Sequence, residues 1–302
     1  MTTIDRTGIP ELLGPWLGQE APGIEPVEFC PEVLRAGRRA CGITFSPSGD
    51  EAFFNEYTPG GGSANLMGMR MVGGVWSDPE TAPFNSAQID NDIAMSPDGA
   101  RLCWRSWRPL PGNTESEENL SLWAVDRTAD GWGEPFPVEC GGHRIAPAYP
   151  GIAANGTLYF ATRVSEGEYG IARAKRSGKQ YEKPELLFSG DIRLGDACVA
   201  PDESFVVTTC GGLPQYSNAA SLMVSFPTAD GEWTPLKDLG SQINTKLVEY
   251  CTTLSADGKR FFFCRIDQED PSVCARTYWI DTGFIERLRE EARRCPRFES
   301  RF

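Results

Sequence analysis

The chain has 302 residues, of which 40% are hydrophobic and 24% are charged, and its formal net charge at pH 7 is −13. This acidic balance argues against a nucleic-acid-binding surface, which is basic, and against binding to an anionic membrane. No apolar run approaches the roughly 18 residues that a membrane-spanning helix requires. The 32 glycines and 23 prolines favour many turns and short strands rather than long helices.

The first ten residues lack the basic segment and apolar stretch of a secretory signal. We therefore expect a cytoplasmic protein whose ten cysteines are reduced. Several cysteines lie in apolar segments, such as Cys103 in Arg-Leu-Cys-Trp and Cys264 in Phe-Phe-Phe-Cys, and are predicted to be small core residues. Because there is a single histidine and no CxxC pair, we predict no metal site, and we predict no cofactor.

Five copies of one pattern run along the chain: an apolar strand, a tight turn of the Ser-Pro-Asp-Gly type, and a second strand rich in aromatic and β-branched residues. The turn residues suit their positions, because proline presets φ, Asp or Asn bonds to the local backbone, and glycine accepts a positive φ. Aligned on the turn, the copies are 47 to 57 residues apart. In chain order they begin near Gly42, Asp92, Tyr149, Asp196 and Cys251.

A third predicted strand follows each copy, and the first four copies continue into a segment with an aromatic residue and a nearby proline, such as Trp76 with Pro79. Four short strands in a repeat of about fifty residues predict the blade of a β-propeller. Five repeats therefore predict a five-bladed propeller.

The two ends of the chain are predicted to complete the ring. The fifth repeat lacks a fourth strand, and a short C-terminal helix is predicted near residues 283–294, where Phe284, Ile285, Leu288 and Ala292 share one helical face. A strand near residues 26–31 is expected to join the fifth blade, since closure removes two exposed sheet edges. Residues 1–302 are thus predicted to form one all-β domain, a five-bladed β-propeller of four-stranded blades.

The turns, together with Asn155-Gly-Thr-Leu-Tyr-Phe and Ala200-Pro-Asp-Glu-Ser-Phe, resemble the WD40-like repeat of TolB-type β-propellers. The segments Leu17-Gly-Gln-Glu-Ala-Pro-Gly-Ile-Glu-Pro and Tyr278-Trp-Ile-Asp resemble the flanks of small bacterial members of that group. The resemblance covers nearly the whole chain and implies the propeller fold. It implies no particular activity, because one fold hosts many functions.

In the usual blade, the strand before the turn lines the channel and the inter-blade loops lie on the face opposite the turns. We predict a site at the channel mouth on the inter-blade-loop face, because binding residues favour loops on a rigid scaffold. The catalytic candidates are carboxylates and tyrosines at the starts of the inner strands: Asp92, Asp196, Glu249, Tyr149 and Tyr250. The ligand-binding candidates are the cations upstream of them and two aromatic side chains: Arg39, Arg144, Arg193, Lys246, Trp107 and His143.

These side chains leave several interpretations open. They can pair with one another and hold the loops in place. They can bind a small polar or anionic ligand, since arginine grips a carboxylate bidentately and tyrosine packs against a sugar; the loop face can instead hold a protein partner.

The alternative is a cofactor-independent enzyme of the glycoside hydrolase, lyase or isomerase type. A glycosidase needs one carboxyl group with a raised pKa and one ionised partner. Cys210, in Cys-Gly-Gly, is a weaker candidate nucleophile.

Overall fold

The structure is a computed structural model that describes residues 12–34, 39–58, 63–112, 120–145, 148–211, 220–267 and 275–294. A 3₁₀ helix (Trp16–Gly18), strand β1 (Val27–Glu28) and helix α1 (Pro31–Leu34) precede the first repeat. Residues 59–62 and the two cysteines Cys274 and Cys295 lie outside the described residues.

The first repeat contains β2 (Arg39–Phe45), β3 (Glu51–Tyr57), β4 (Ala64–Val72), β5 (Val75–Trp76) and β6 (Glu80–Thr81). The second contains β7 (Asp90–Met95), β8 (Arg101–Ser106), β9 (Ser121–Thr128), β10 (Gly131–Trp132) and β11 (Phe136–Pro137). Strands β12 (Glu139–Cys140) and β13 (His143–Arg144) lie between the second and third repeats.

The third repeat contains β14 (Ala148–Ile152), β15 (Leu158–Ser165), β16 (Glu168–Ala174), β17 (Arg176–Ser177), β18 (Gln180–Tyr181) and β19 (Glu185–Gly190). The fourth contains β20 (Arg193–Val199), β21 (Val206–Gly211), β22 (Ala220–Ser225) and β23 (Lys237–Asp238). The fifth contains β24 (Val248–Leu254), β25 (Arg260–Ile266) and β26 (Arg276–Asp281), followed by helix α2 (Gly283–Arg294).

The described strands form six sheets, or blades, so the predicted number of five was wrong. Five of the sheets hold one sequence repeat each, with the inner, second and third strands paired antiparallel in that order. The sixth consists of two small hairpins, β12–β13 and β17–β18, joined by a parallel pairing of Cys140 with Tyr181. Its strands are two residues long, which is too short to leave a periodic pattern in the sequence.

The inner strands surround a common channel. Strands β2, β7, β14, β20 and β24 contact one another in that order, and β24 contacts β2 again, which closes the circle. This is the arrangement of a β-propeller. The strands approach closely: a Cβ added at Gly151 in β14 would lie 2.1 Å from the carbonyl oxygen of Ala197 in β20. Only glycine fits at this point.

The two ends of the ring meet in the sheet of the fifth repeat. Strand β1 pairs antiparallel with β26, with Val27 opposite Trp279 and Glu28 opposite Tyr278. The next residue, Phe29, is fully buried and makes edge-on ring contacts with Phe45 of the first repeat and Trp279 of the last. Residues from before the first repeat and from both terminal repeats therefore share one hydrophobic cluster.

The predicted C-terminal helix is confirmed as α2. Phe284 and Ile285 are buried against the fourth and fifth repeats, and Leu288 and Ala292 pack on the same cluster. No helix in the described part of the chain is long and apolar enough to cross a bilayer. The eight cysteines that the structure describes are all free thiols and all buried.

Candidate functional site at the channel axis

Every inner strand has a β-bulge, and one residue of each bulge has a positive φ. These residues stand where the five sequence repeats begin: Gly42 (64°), Asp92 (60°), Tyr149 (54°), Asp196 (30°) and Cys251 (53°). The left-handed region suits glycine, is tolerated by aspartate and is rare for tyrosine or cysteine. Bulges re-aim side chains and backbone strain concentrates at functional sites, so this bulge ring marks a candidate site.

Asp196 is well supplied with hydrogen-bond donors. Its Oδ2 accepts from the Thr209 hydroxyl at 2.5 Å, and from the Thr252 amide at 3.2 Å and hydroxyl at 3.3 Å. Burial raises the pKa of Asp196 to about 6, although these hydrogen bonds oppose the shift. Thr252 belongs to the next repeat, so the carboxyl group links the fourth and fifth repeats.

Asp92 holds the same bulge position in the second repeat but has no such donors. Its side chain is 1% exposed, and no described residue donates a hydrogen bond to either carboxyl oxygen. The Arg105 Nη1 atom lies 3.7 Å from Oδ2, beyond ordinary hydrogen-bond length. Burial raises the pKa of Asp92 to about 7, Arg105 lowers it in part, and the nearby charge of Asp196 adds to the rise.

The repeats themselves explain the contrast. The bulge residue Cys251 is followed by Thr252, whose amide reaches Asp196. The bulge residue Tyr149 is followed by Pro150, and proline has no N–H to donate. The third repeat therefore cannot offer Asp92 the backbone donor that the fifth repeat offers Asp196.

Further buried polar atoms of the first and second repeats also lack hydrogen-bond partners among the described residues. The side-chain oxygens of Asn55 and Asn91 receive no hydrogen bond, and the Arg105 Nε donates none. Asn91 precedes Asp92 in its strand, whereas Asn55 and Arg105 occupy matching positions on the second strands of neighbouring repeats. With the two Asp92 oxygens, these residues present four unused acceptors and one unused donor. A molecule complementary to them must be rich in donors.

Three tyrosines accompany the carboxyl groups. Tyr57, Tyr149 and Tyr250 pack in one cluster with the thiols of the first and fifth repeats. The charge of Asp92 is the largest cause that raises the pKa of Tyr149, and burial adds to it. Tyr149 is also influenced by Asp196, and Tyr250 by Tyr149. Asp92, Asp196, Tyr149 and Tyr250, all predicted candidates, therefore lie together near the axis.

Glu249, also a predicted catalytic residue, has a different environment. It is fully buried, and its Oε1 accepts from Arg265 Nε at 2.8 Å and from the Thr245 hydroxyl at 2.7 Å. Asp90 has matching contacts in the second repeat, where it binds Arg108 and the Ser86 amide. Both carboxylates fasten the loop that leads into their own inner strand.

The predicted cations lie away from the buried carboxyl groups. Exposed side chains on or beside the inter-blade links are His143, Arg144, Arg193 and Lys246. Arg39 is described only through its backbone at the start of β2. Trp107 is half-buried, and the Arg105 guanidinium carbon lies 4.5 Å from its ring centre. Trp107 thus holds the arginine that faces Asp92.

A depression lies at the opposite mouth, on the face of the turns. It encloses ≈ 470 Å³, including space open to solvent, and residues of all five repeats line it. Pro150 and Thr252, which directly follow two of the bulge residues, form part of this lining. The bulge residues therefore lie beneath this depression, at the middle of inner strands such as β2, β20 and β24.

Sequence reasoning missed Asn55, Asn91, Arg105 and Pro150. A comparison of the residues that flank each bulge would have revealed the proline that replaces the threonine. Cys210 is buried, which raises its thiol pKa to about 12 and disfavours a nucleophilic role. Among the residues that the structure describes, no group of three or more His, Cys, Asp or Glu side chains is arranged to hold a metal ion.

No protein-family model matches the chain, and no curated protein matches it. Solved structures are similar in fold. "Putative TolB from Agrobacterium tumefaciens" is 15% identical with a TM-score of 0.54, and the match covers 87% of this chain and 86% of that one. The catalytic domain of the Coprinopsis cinerea GH62 α-L-arabinofuranosidase is 10% identical with a TM-score of 0.50, over 86% of this chain and 94% of that one. At these identities the similarity shows the fold alone: an all-β, TolB-like β-propeller.

Proposed function

We propose that this chain binds a small polar molecule in its channel, with the Asp92 carboxyl group as the central acceptor. The observation that carries the proposal is that both Asp92 oxygens are buried and receive no hydrogen bond from any described residue. A buried polar group without partners costs roughly 1–3 kcal/mol, and more when charged. Such groups concentrate at functional sites, where the cost is retained for binding or chemistry.

The unused atoms around Asp92 favour a hydroxyl-bearing ligand over an anionic one. Asn55, Asn91 and Asp92 together have four unused acceptor oxygens, against one unused donor at the Arg105 Nε. Hydroxyl groups of a sugar or polyol donate to such oxygens and can accept from the arginine. An anion would need further cations near the axis, because Arg105 already faces the Asp92 carboxylate, whereas Arg144, Arg193 and Lys246 are exposed.

Entry of a ligand requires a side chain to move, because the Asp92 oxygens are closed to solvent in this structure. Tyr149 is suited to this movement: it is half-buried, interacts electrostatically with Asp92 and holds a strained φ of 54°. Strained residues are used at sites that switch between two arrangements.

A second candidate function is acid–base catalysis without a cofactor, favoured by the pKa of Asp92. Burial raises that pKa to about 7 and the pKa of Asp196 to about 6. At neutral pH one carboxyl group of such a pair carries a proton much of the time while the other is mostly ionised. This division of states suits glycoside hydrolysis, the reaction of the GH62 enzyme that shares the fold.

The test is thermal unfolding of the wild-type chain with five probes: glycerol, erythritol, D-xylose, D-glucose and myo-inositol. At least one should raise the melting temperature, since a ligand at 100 times its Kd stabilises by about 2.7 kcal/mol. Asp92→Asn should lose the effect, because an amide cannot replace two acceptor oxygens. Glu166→Gln, which removes one exposed carboxylate, should retain it.

Equal stabilisation of the wild type and Asp92→Asn, or no stabilisation by any probe, would contradict the proposal. The same two proteins, incubated with p-nitrophenyl glycosides, separate binding from catalysis. Release of nitrophenol by the wild type and not by Asp92→Asn would assign the second function.

A further inference from the structure

A cluster of three thiols lies in the channel wall where the first and fifth repeats meet, between the repeats that carry Asp92 and Asp196. Cys41 comes from the inner strand of the first repeat, and Cys251 and Cys264 come from the first two strands of the fifth. Their exposed fractions are 2%, 5% and 0%. The Cys251 thiol donates to the Cys41 sulfur at 3.4 Å, although the two residues are 210 positions apart in the chain.

This contact lies where the ring closes. Strands β2 and β24, which carry the two thiols, are the first and last inner strands and contact each other. At the outer edge of the sheet that contains β24, closure depends on the pairing of the two-residue strand β1 with β26. A covalent bond between Cys41 and Cys251 would fasten the same junction from the channel side.

The third thiol, Cys264, differs from the other two in its pKa. Burial raises the pKa of Cys264, but hydrogen bonds from Cys251, Cys41, Thr277 and the Gly42 amide outweigh it and hold that pKa well below its usual value. Its sulfur lies 3.5 Å from the Thr277 hydroxyl. The hydrogen bonds that Cys41 and Cys251 make to Cys264, together with burial, hold the pKa values of these two thiols well above the usual value, although Cys251 opposes the shift at Cys41. Their reactive thiolate form is therefore scarce and their oxidation slow, and the proton that the attacking thiol gives up goes to the oxygen that leaves the hydroperoxide.

We propose that Cys41 and Cys251 are a redox-sensitive pair that a hydroperoxide converts to a disulfide, which locks the first repeat to the last. One sulfur attacks the peroxide, so that the O–O bond breaks, an alcohol or water leaves, and a sulfenic acid forms. The second sulfur then displaces water from the sulfenic acid, and the S–S bond forms. Two thiols and one hydroperoxide thus give one disulfide, one alcohol or water from the peroxide, and one water.

A disulfide here would constrain the unfolded chain strongly, because it would close a very long loop. Oxidation should therefore raise the melting temperature by several degrees, and a thiol reductant should reverse the rise. The rise is independent of the proposed ligand, since it needs no polyol or sugar.

The experiment treats the folded, reduced full chain with hydrogen peroxide and analyses a non-reduced protease digest by mass spectrometry. We expect one linked pair of peptides, containing Cys41 and Cys251, that is two hydrogen masses lighter than their sum. Cys198→Ser is the matched control, since Cys198 is a buried inner-strand thiol outside the cluster, and it should give the same linked pair.

Cys41→Ser and Cys251→Ser should each abolish the link and the rise in melting temperature. Circular dichroism must show that both variants fold; Cys41→Ala and Cys251→Ala replace any that does not. Oxidation of Cys41 and Cys251 to separate sulfinic acids, a disulfide that uses Cys264, or no reaction with peroxide would each overturn the proposal.

Discussion

Asp92 and Asp196 show how the loss of one backbone donor changes the hydrogen bonding of a buried carboxyl group. Both occupy bulge positions, and burial raises the pKa of both. Asp196 receives three hydrogen bonds, one of them from the Thr252 amide, whereas the equivalent residue facing Asp92 is Pro150. Two copies of the same repeat thus carry equivalent carboxyl groups, of which Asp196 receives hydrogen bonds and Asp92 receives none.

The raised pKa of Asp92 makes the stability of the protein depend on pH. Its value is about 7 in the folded chain and about 4 in an unfolded one, so between these limits the folded state binds the extra proton. Stability from this group is present below about pH 4 and is lost as pH rises through 7. Asp92→Asn has a neutral side chain at every pH. Its free energy of unfolding should therefore not show the pH-dependent loss, of up to about 4 kcal/mol, that Asp92 causes in the wild type.

Urea unfolding of the wild type and Asp92→Asn at pH 4, 6 and 8 measures this effect. The free energy of unfolding of the variant, relative to the wild type, should increase with pH. A constant difference between the two proteins would show that Asp92 has an ordinary pKa when folded.

At the residue level, the sequence predicted part of the candidate site. Asp92, Asp196 and Tyr149 could be predicted because they begin their repeats, and the alignment of repeats needs only the turns. The lack of hydrogen bonds to Asp92 could not be predicted, because it depends on Arg105 lying 3.7 Å away and on which amide of the next repeat faces the carboxyl group. These are distances between strands, which one sequence does not contain.

At the scale of elements, the inner strands combine a bulge with very close packing. Strand β14 bends between Ala148 and Gly151, and β20 bends between Gly195 and Cys198. At these bends the backbones of neighbouring inner strands come close together. The free space around a glycine therefore differs between β14 and β20.

Two glycines in these strands give a matched test of that packing. Gly151→Ala would place a methyl group 2.1 Å from the Ala197 carbonyl oxygen, whereas at Gly195 the nearest atom is 3.6 Å away. We expect Gly151→Ala to lower the free energy of unfolding by roughly 3 kcal/mol or more, and Gly195→Ala to change it by less than about 1 kcal/mol. Urea denaturation measures both, and equal effects would mean that β14 and β20 are not in close contact.

At the scale of the whole molecule, five repeats form one ring together with strand β1 before them and helix α2 after them. The sequence predicted the propeller and the C-terminal helix, because turns and helical periodicity are local patterns. It did not predict the sixth sheet, because that sheet depends on a parallel pairing of two-residue strands, β12 from the link before the third repeat and β18 from within it. The additional hairpins lie over a core cluster shared by the second and third repeats.

If the ring is closed by the segment before the first repeat, a substitution in that segment should strongly lower the free energy of unfolding. Phe29→Ala removes a fully buried ring between Phe45 and Trp279 and should cost about 3–5 kcal/mol. Val27→Ala, at a 51% exposed position in β1, should cost less than about 1 kcal/mol. Both variants should unfold in a single transition by circular dichroism and fluorescence; two separate transitions would show that the repeats do not form one cooperative ring.

The most direct measurement is a carbon-13 NMR titration of the aspartate carboxyl groups, with the Asp92 signal assigned by its loss in Asp92→Asn. We predict a midpoint near 7 for Asp92 in the wild type. In Pro150→Ala the midpoint should fall, since alanine provides the amide donor that proline lacks. A wild-type midpoint near 4 would mean that Asp92 is hydrated or hydrogen-bonded in solution, and would contradict its assignment as the acceptor of the channel that receives no hydrogen bond.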